Sequence, residues 1–198
     1  NNTGRKMRSV WLYLSILMIL ISACKQRFSP KPTGYIRINL EKKIDTLFYA
    51  NGCPFSFRTS NYFKLNTKEN CWMDLEYKKH HATIHLTYKK INGNLFNLLE
   101  ESRNMVYKHT IKANAINEKI YSNNFKQIYA TLYDIEGETA SSVQFHVTDS
   151  INNFLRGALY FRVTPNQDSL APIINYLRDD IIRIMETLEW DEKIVSEK

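Results

Sequence analysis

The amino-acid sequence predicts an α+β fold in which an antiparallel sheet is flanked by two main helices. Several short segments alternate apolar and polar side chains with the two-residue period of a half-buried strand, whereas two longer segments repeat apolar residues with the helical period. The chain order is strands, a helix, more strands and a second helix. This order is typical of a sheet covered by helices, an α+β sandwich, rather than of alternating parallel units.

The clearest predicted strand lies at Ala82–Tyr88, where every second residue is apolar and would face one side of a sheet. The full set of predicted strands covers residues 35–40, 55–57, 72–77, 82–88, 116–121, 127–133, 142–149 and 155–163. Short polar connections, such as Lys78–His81 and the turn at Glu136-Gly137, favour hairpins between neighbouring strands. Hairpins of this kind make a sheet antiparallel.

Two amphipathic helices are predicted, one between the strands and one near the end of the chain. The first covers residues 95–108, and Asn92-Gly93-Asn94 in front of it can cap its N-terminus. In the second helix Ser169 is the predicted N-cap, and Pro172 falls in the first turn, where its missing N–H costs little. The buried stripe of this helix is predicted at Leu170, Ile173, Ile174, Leu177, Ile181, Ile184 and Leu188.

A short apolar segment near the start of the chain follows three basic residues and ends in Ser22-Ala23-Cys24. The apolar run is about 18 Å long as a helix at ~1.5 Å per residue, whereas a membrane span needs about 20 apolar residues. The pattern therefore indicates a lipoprotein signal peptide over residues 1–23, after which Cys24 is lipidated. An uncleaved transmembrane helix is the alternative.

The rest of the chain is predicted to consist of a tether and one domain. Residues 24–34 contain two prolines and a glycine and indicate a short extended tether. Residues 35–198 are long enough for a single α+β domain with a core of its own. The formal charge is +7, of which three charges lie in the predicted signal peptide, so the exported part carries +4. The basic residues are spread out without a nucleic-acid motif, and we expect no nucleic-acid binding.

Two cysteines remain once Cys24 is assigned to the lipid. An exported protein experiences oxidising conditions, so Cys53 and Cys71 are predicted to form a disulfide, with two buried free thiols as the alternative. The bridge would close a loop of about 18 residues and stabilise the fold by about 3 kcal/mol in the chain-entropy model. The two cysteines do not have the spacing of a metal site.

The sequence contains no nucleophile-elbow, zinc-protease or phosphate-loop motif, and we expect no catalytic residue, metal or cofactor. His80, His81 and His85 lie close together in the sequence. On a strand, however, positions 81 and 85 would be roughly 13 Å apart, which is too far for one ion with ligand bonds near 2 Å. These histidines are therefore interpreted as surface and hairpin residues.

The candidate interface with a partner consists of two turns, one containing Glu136, Gly137 and Glu138 and one running from Asp149 to Arg156. Ordinary turn chemistry explains the carboxylates of the first turn better than a cation site does. Arg156 lies among apolar residues and needs a partner, because an unpaired buried charge is very costly. We expect a hairpin ion pair between Arg156 and Asp149. The alternative makes Arg156 an anchor in a protein interface.

Nine stretches of the sequence together resemble one known family. They are Cys53-Pro54-Phe55, Cys71-Trp72 and residues 82–86, 107–113, 132–135, 140–145, 148–150, 154–161 and 165–172. Over Gly34–Trp190 the chain resembles the gliding motility lipoprotein GldD family of Bacteroidetes-type bacteria. The resemblance implies an envelope lipoprotein needed for surface gliding and for the linked type IX secretion machinery, with no known enzyme activity. The order of elements is also similar, more weakly, to the PsbP/Mog1-like sandwich.

Two further expectations follow from this resemblance. Three Asp-Ser/Thr-apolar triplets are similar to the O-glycosylation sequon of such bacteria, which makes Thr46, Ser150 and Ser169 candidate modification sites, although Asp-Ser pairs are also common in turns and caps. The stretch Lys25-Gln26-Arg27 after Cys24 lacks the acidic residues usual in surface-displayed lipoproteins of these bacteria. This absence favours the outer membrane with the domain facing the periplasm, with the inner membrane as the alternative.

The function expected from the sequence is that of a lipid-anchored periplasmic scaffold or adaptor. It would carry a fatty-acyl group such as palmitate, and its partners would be the membrane, through the lipid, and other envelope proteins of gliding and type IX secretion. The alternative is a small-ligand or lipid-handling module. That alternative predicts an apolar pocket with a few polar groups between the sheet and a helix.

Overall fold

Ten strands and two helices account for most regular structure in the residues that the computed structural model describes, which are 40–49, 52–162 and 167–191. The strands are β1 (Asp45–Tyr49), β2 (Phe55–Ser60), β3 (Lys64–Thr67), β4 (Met73–Tyr77), β5 (Ala82–Lys90), β6 (Ala113–Asn123), β7 (Ile128–Gly137), β8 (Ser141–Thr148), β9 (Asn153–Phe161) and β10 (Glu189–Trp190). The helices are α1 (Leu95–Tyr107) and α2 (Gln167–Thr187).

The strands of this part of the chain form two sheets in which every pair is antiparallel. The large sheet has seven strands in the order β3-β4-β5-β9-β8-β7-β6, and the small sheet has the order β1-β2-β10. The predicted α+β class, with an antiparallel sheet and two main helices, is confirmed. The small sheet was not predicted as a separate sheet, because β1 and the two-residue β10 are too short to show a recognisable alternation.

The main core lies between one face of the large sheet, the small sheet and α2. Phe145 and Leu132 of the large sheet and Phe57 of the small sheet are almost completely buried in it. The predicted stripe contributes Leu177, Ile181 and Ile184 from α2 and Leu188 directly after it, each with no exposed surface. Burial of these side chains is the main term that holds α2 against the two sheets.

The opposite face of the large sheet is covered only in part, by α1. Leu98 packs with Ile91 and Phe154 near the start of the helix. Near its end, Val106 packs with Tyr133 and Ile135 of β7. The helix therefore crosses the β9, β8 and β7 strands obliquely and leaves the β4–β5 side of this face open.

One buried carboxylate connects the elements of the main core. Asp180 of α2 is 2% exposed and accepts hydrogen bonds from the Ser60 hydroxyl of β2 at 2.7 Å and from the Tyr77 hydroxyl of β4 at 3.1 Å. The Lys43 ammonium lies 2.9 Å from its other oxygen. Burial and the Asp180 charge raise the pKa of Tyr77, so the tyrosine keeps its proton and remains a donor. This network ties α2 to both sheets.

The ends of the helices differ from the prediction. The second helix begins at Gln167, so Ser169 lies inside it and is not its N-cap. At α1, Asn94 does occupy the N-cap position, but its side-chain oxygen accepts the backbone N–H of Asn92 rather than one from the helix. Asn and Ser bond readily to nearby backbone in more than one way, so the residue type alone does not place a cap. The predicted strand over residues 35–40 lies, apart from its last residue, outside the described residues.

We expect Asp180→Asn to lower the free energy of unfolding by about 3 kcal/mol, because it leaves Lys43 without its buried counter-charge. The neighbouring Asp179 is 72% exposed and 3.9 Å from the same ammonium, which makes Asp179→Asn a matched control with an effect of about 0.5 kcal/mol or less. Urea unfolding of both variants measures the difference. Equal effects of the two substitutions would contradict a central role for Asp180.

Candidate functional site: a groove beside helix α1

A groove of about 660 Å³ lies between the N-terminal part of α1, the end of β5 and the loop that carries the Cys71 turn. Its size falls in the range of about 300–1,000 Å³ that is typical of ligand pockets. The lining combines apolar surface with polar side chains, which are four asparagines, two lysines and a glutamate. The lining residues are Gly52, Pro54, Asn70, Cys71, Trp72, Tyr88, Lys89, Lys90, Asn92, Asn94, Asn97, Leu98 and Glu101.

Trp72 is the exposed aromatic side chain of this groove. Its indole is 43% exposed, and its ring N–H donates a hydrogen bond to the Tyr88 carbonyl at 3.3 Å. The preceding residue is bridged to Cys53 by a disulfide with a Cα–Cα distance of 5.5 Å. Asn70 and Cys71 both have positive φ angles, which is costly for residues other than glycine. The disulfide therefore helps to hold a turn that fixes the position of Trp72.

A smaller inner pocket of about 130 Å³ adjoins the groove. It shares Trp72, Lys89, Leu98 and Glu101 with the groove and extends under α1 to Arg156 of β9. The remaining lining residues are Thr87, Ser102, Met105 and Phe154. Lys89 and Glu101 form an ion pair at 2.7 Å, so their charges compensate each other where the two compartments meet.

Arg156 is half-buried and has an unusually poor set of partners. Its guanidinium donates a hydrogen bond to the Gln144 side-chain oxygen, while its Nε and the Gln144 amide nitrogen are buried without an acceptor in the part of the chain that the structure describes. Within the same residues, no carboxylate lies within 4.0 Å of the guanidinium, although it is charged. Burial lowers the pKa of Arg156.

The expected ion pair between Asp149 and Arg156 is wrong. One Asp149 oxygen accepts the backbone N–H groups of Ile151, Asn152 and Asn153 at 2.8–2.9 Å, and the other accepts the Asn153 side-chain N–H at 2.6 Å. The carboxylate is thus satisfied within its own turn. Arg156 lies further along β9, where its register partner is His146 rather than a turn residue.

His146 is buried beneath α1, next to Arg156. Burial and the charge of Arg156 lower the pKa of His146 to about 4, so the ring is neutral near pH 7. The ring stacks on Phe154 with centroids 5.6 Å apart, and its Nδ1 lies 3.5 Å from the Ser102 hydroxyl. The sequence reasoning missed both His146 and Gln144. Both residues alternate with the apolar residues of β8, which places them on the face covered by α1. This alternation was the feature of the sequence that could have identified them.

The two turns of the candidate interface do not form one surface. The turn with Glu136, Gly137 and Glu138 joins β7 to β8, whereas the Asp149 turn joins β8 to β9. The two turns therefore lie at opposite ends of β8, about 23 Å apart at ~3.3 Å per residue. Glu136 and Glu138 are exposed, while Gly137 is buried against the start of β6. The two turns are therefore separate surfaces, and a role of either in binding a partner stays a prediction.

The three candidate glycosylation sites differ in accessibility. Ser150 is exposed at the tip of the β8–β9 turn, with a φ angle of 68°. Thr46 is half-buried on β1, and Ser169 is half-buried within α2. Ser150 therefore offers the most open approach to a transferase, and modification of all three stays a prediction. Cys24, the predicted signal peptide and the predicted tether lie outside the described residues.

Ion pairs and packing account for the histidines and acids considered as metal ligands. His80 is buried and packs on Tyr176, while His85 bonds to Asp74 at 2.6 Å. Although burial works in the opposite direction, hydrogen bonds from Arg178 and a lysine hold the pKa of Asp134 below its usual range. Among the described residues, no group of three His, Cys, Asp or Glu side chains is placed to hold a metal ion. Within the same residues no helix is long and apolar enough to span a bilayer.

Comparison with known proteins gives one family. The family model described as gliding motility lipoprotein GldD matches residues 25–190. No curated protein matches the sequence. A solved structure, the solution structure of cyanobacterial PsbP (CyanoP) from Synechocystis sp. PCC 6803, is similar with a TM-score of 0.47 and 7% sequence identity, covering 77% of this chain and 95% of that chain.

The pKa of His146 predicts an acid-sensitive stability. The folded pKa of about 4 lies below the unfolded value of about 6.5, so protonation favours the unfolded state, and stability falls as the pH drops from about 6.5 to 4. Titration of His146 changes the free energy of unfolding by up to about 1.4 kcal/mol per pH unit in this range. Urea unfolding across this pH range measures the effect. The free energy of unfolding should depend much less on pH in His146→Gln than in the wild type, whereas His81→Gln, at an exposed histidine, should keep the wild-type dependence. An unchanged slope in His146→Gln would refute the assignment.

Proposed function

The chain belongs to the gliding motility lipoprotein GldD family, and on that premise we propose that it is a lipid-anchored adaptor of the gliding and type IX secretion apparatus. Family membership associates the chain with gliding motility and with a lipid-anchored place in the cell envelope. The proposed action is non-enzymatic. It consists of binding other envelope proteins and holding them near the membrane.

The observation that carries the proposal is the outer edge of β6. This strand is the last of the large sheet, and in the part of the chain that the structure describes no strand pairs with its outer side. It has 11 residues, none of them buried, whereas an average strand has about five or six. A long exposed edge offers a row of backbone donors and acceptors to another chain.

Exposed apolar side chains accompany this edge. Ile120 of β6 is 82% exposed, Phe125 at the tip of the β6–β7 hairpin is fully exposed, and Tyr129 of β7 is partly exposed. Ile120 and Tyr129 lie on the same face of the sheet, since Ile120 pairs with Thr131 and residues two apart on β7 share a face. A partner strand added to β6 would pair the backbone and cover this apolar surface, which is the β-augmentation mode of recognition.

The opposite edge of the large sheet is built differently. There β3 has only four residues, begins at Lys64 and is followed by Lys68. Short edge strands with lysines are a common protection against unwanted pairing. The β6 edge is longer, with 11 residues against four, and exposed apolar side chains accompany it, which supports a binding role for β6.

The lipid anchor gives this binding its context. A protein confined to a membrane surface meets partners there at a raised effective concentration, so moderate affinity is sufficient. We place the anchor at Cys24, with an acyl chain such as palmitate, in the outer membrane with the domain facing the periplasm. The basic stretch Lys25-Gln26-Arg27 supports this orientation.

Small-ligand binding is the second candidate function, and the groove beside α1 favours it. Its four asparagines, Asn70, Asn92, Asn94 and Asn97, are poor neighbours for an acyl chain, because buried amides without hydrogen bonds are costly. The groove thus suits a small ligand with both polar and apolar groups better than a bare acyl chain.

The adaptor proposal is tested by photo-crosslinking in gliding cells. A crosslinking residue at Ile120 or Phe125 is expected to capture envelope proteins of the gliding or secretion apparatus. A crosslinker at Tyr49, which is 72% exposed on β1 of the small sheet, is the matched control and should capture none of them. We further expect Ile120→Lys to reduce copurification of the captured protein at least tenfold and to impair gliding, with unchanged thermal stability. Normal gliding and partner recovery in Ile120→Lys would contradict the proposal.

The anchor is tested separately by Cys24→Ser. Without the thiol there is no acylation, and cleavage before residue 24 requires the acylated cysteine, so the variant should lack the mass of the acyl groups and keep the mass of residues 1–23. Intact-mass measurement of the protein purified from cells detects both changes. An intact mass of Cys24→Ser equal to that of the wild type, apart from the substitution, would argue against the lipid anchor.

A further inference from the structure

We propose that the inner pocket and the groove beside α1 bind a ligand with a free carboxylate, which pairs with Arg156, and with an apolar group, which packs on Trp72. This site is separate from the β6 edge, and the inference stands whether or not β6 binds a partner.

The first argument is the partnering of Arg156. A guanidinium has five N–H donors in a fork that matches a carboxylate, yet here its side chain makes a hydrogen bond only to the neutral Gln144 oxygen among the described residues. By contrast, Arg178 in the same molecule makes two bonds to the Asp134 carboxylate, at 2.6 and 2.8 Å. The charge of Glu101 acts on Arg156 from a distance, but no carboxylate contacts it directly, and a ligand carboxylate in the adjoining pocket would supply that contact.

The second argument is the charge around the cavity. The two compartments contain Lys89, Lys90 and Arg156 but only one acid, Glu101. Glu101 is already paired with Lys89, which leaves an excess of two positive charges. Low-dielectric walls such as Leu98, Met105 and Phe154 strengthen the attraction of this excess for an anion.

The third argument is the shape of the site. A water molecule occupies about 30 Å³ in the liquid, so the 130 Å³ inner pocket has room for about four groups of that size. A carboxylate group together with one or two further carbon atoms has about this volume. Trp72 lines both compartments and lies where the next part of such a ligand would be. The larger groove, with its asparagine side chains, can take the polar remainder through hydrogen bonds. Gln144 acts as a positioning residue, because its side-chain oxygen accepts a hydrogen bond from the Arg156 guanidinium.

Two sources can supply this chemistry: the C-terminus of a polypeptide, or a small organic acid with an apolar body. Both present a carboxylate next to an apolar group, and conversion to the amide removes the carboxylate from each of them. The probes are therefore 3-phenylpropionate and a tetrapeptide ending in leucine, each compared with its own amide.

The test uses the full chain in mild detergent, labelled with 5-fluorotryptophan, and follows the ¹⁹F resonance of Trp72. Loss of one resonance in Trp72→Phe assigns it. We expect at least one acid probe to shift this resonance saturably, and its amide to bind at least tenfold more weakly. Arg156→Gln should weaken the acid at least tenfold. Arg162→Gln is the matched control at the end of β9, where Arg162 pairs with Glu76 in an exposed position, and it should leave binding unchanged.

Some outcomes identify the source of the ligand, and others overturn the proposal. Binding of the peptide acid alone assigns a chain terminus, and binding of 3-phenylpropionate alone assigns a small acid. The proposal is overturned when neither acid shifts Trp72 at millimolar concentration, when acid and amide bind equally, or when Arg156→Gln binds like the wild type. The comparison of acid with amide uses wild-type protein, so it remains decisive even when Arg156→Gln does not fold.

Discussion

The buried carboxylate of Asp180 is the constraint on which the rest of this structure depends. It receives hydrogen bonds from Ser60 of the small sheet and Tyr77 of the large sheet, and it faces the Lys43 ammonium. An ion removed from water needs all of its partners, so none of these elements can shift without exposing an uncompensated charge to the core. The apolar core around it supplies most of the stabilisation, and the carboxylate supplies the alignment. As a result α2 and the small sheet cover most of one face of the large sheet, while β6 at its edge has no buried residue.

The second face has no comparable cover, and this difference creates the groove. The large sheet is about 29 Å wide, with seven strands at a spacing of ~4.8 Å, whereas α1 is a single helix about 10 Å in diameter. Helix α1 covers β7, β8 and β9 only in part, and the β4–β5 side accordingly has polar residues such as Asp74 and His85, which are hydrogen-bonded to each other at 2.6 Å. Arg156 lies at the boundary between the covered and open parts. There it is buried enough for an unpaired charge to be costly, and it is open enough for a ligand to approach.

The two proposed binding surfaces lie on different parts of the large sheet and differ in chemistry. The β6 edge offers unpaired backbone groups and exposed apolar side chains, which suits a partner strand. The groove offers cations, amides and one indole, which suits a small anionic group. Because β6 is at one end of the strand order and the groove borders β4 and β5 near the other, occupation of one surface leaves the other accessible. If both proposals hold, the protein could thus bind a protein partner and a ligand at the same time.

The sequence by itself determined the local features: the alternation that makes Ala82–Tyr88 part of a strand, the apolar stripe of α2, the α+β class and the family resemblance. These depend on side chains within one or two turns of each other, so a single stretch contains the information. The tertiary structure decided the rest. The small sheet, the local satisfaction of Asp149 and the meeting of Arg156 with Gln144 and His146 depend on which strands pair and in which register. Register comes from contacts between residues far apart in the chain, and a shift of one residue would turn Arg156 to the opposite face of the sheet.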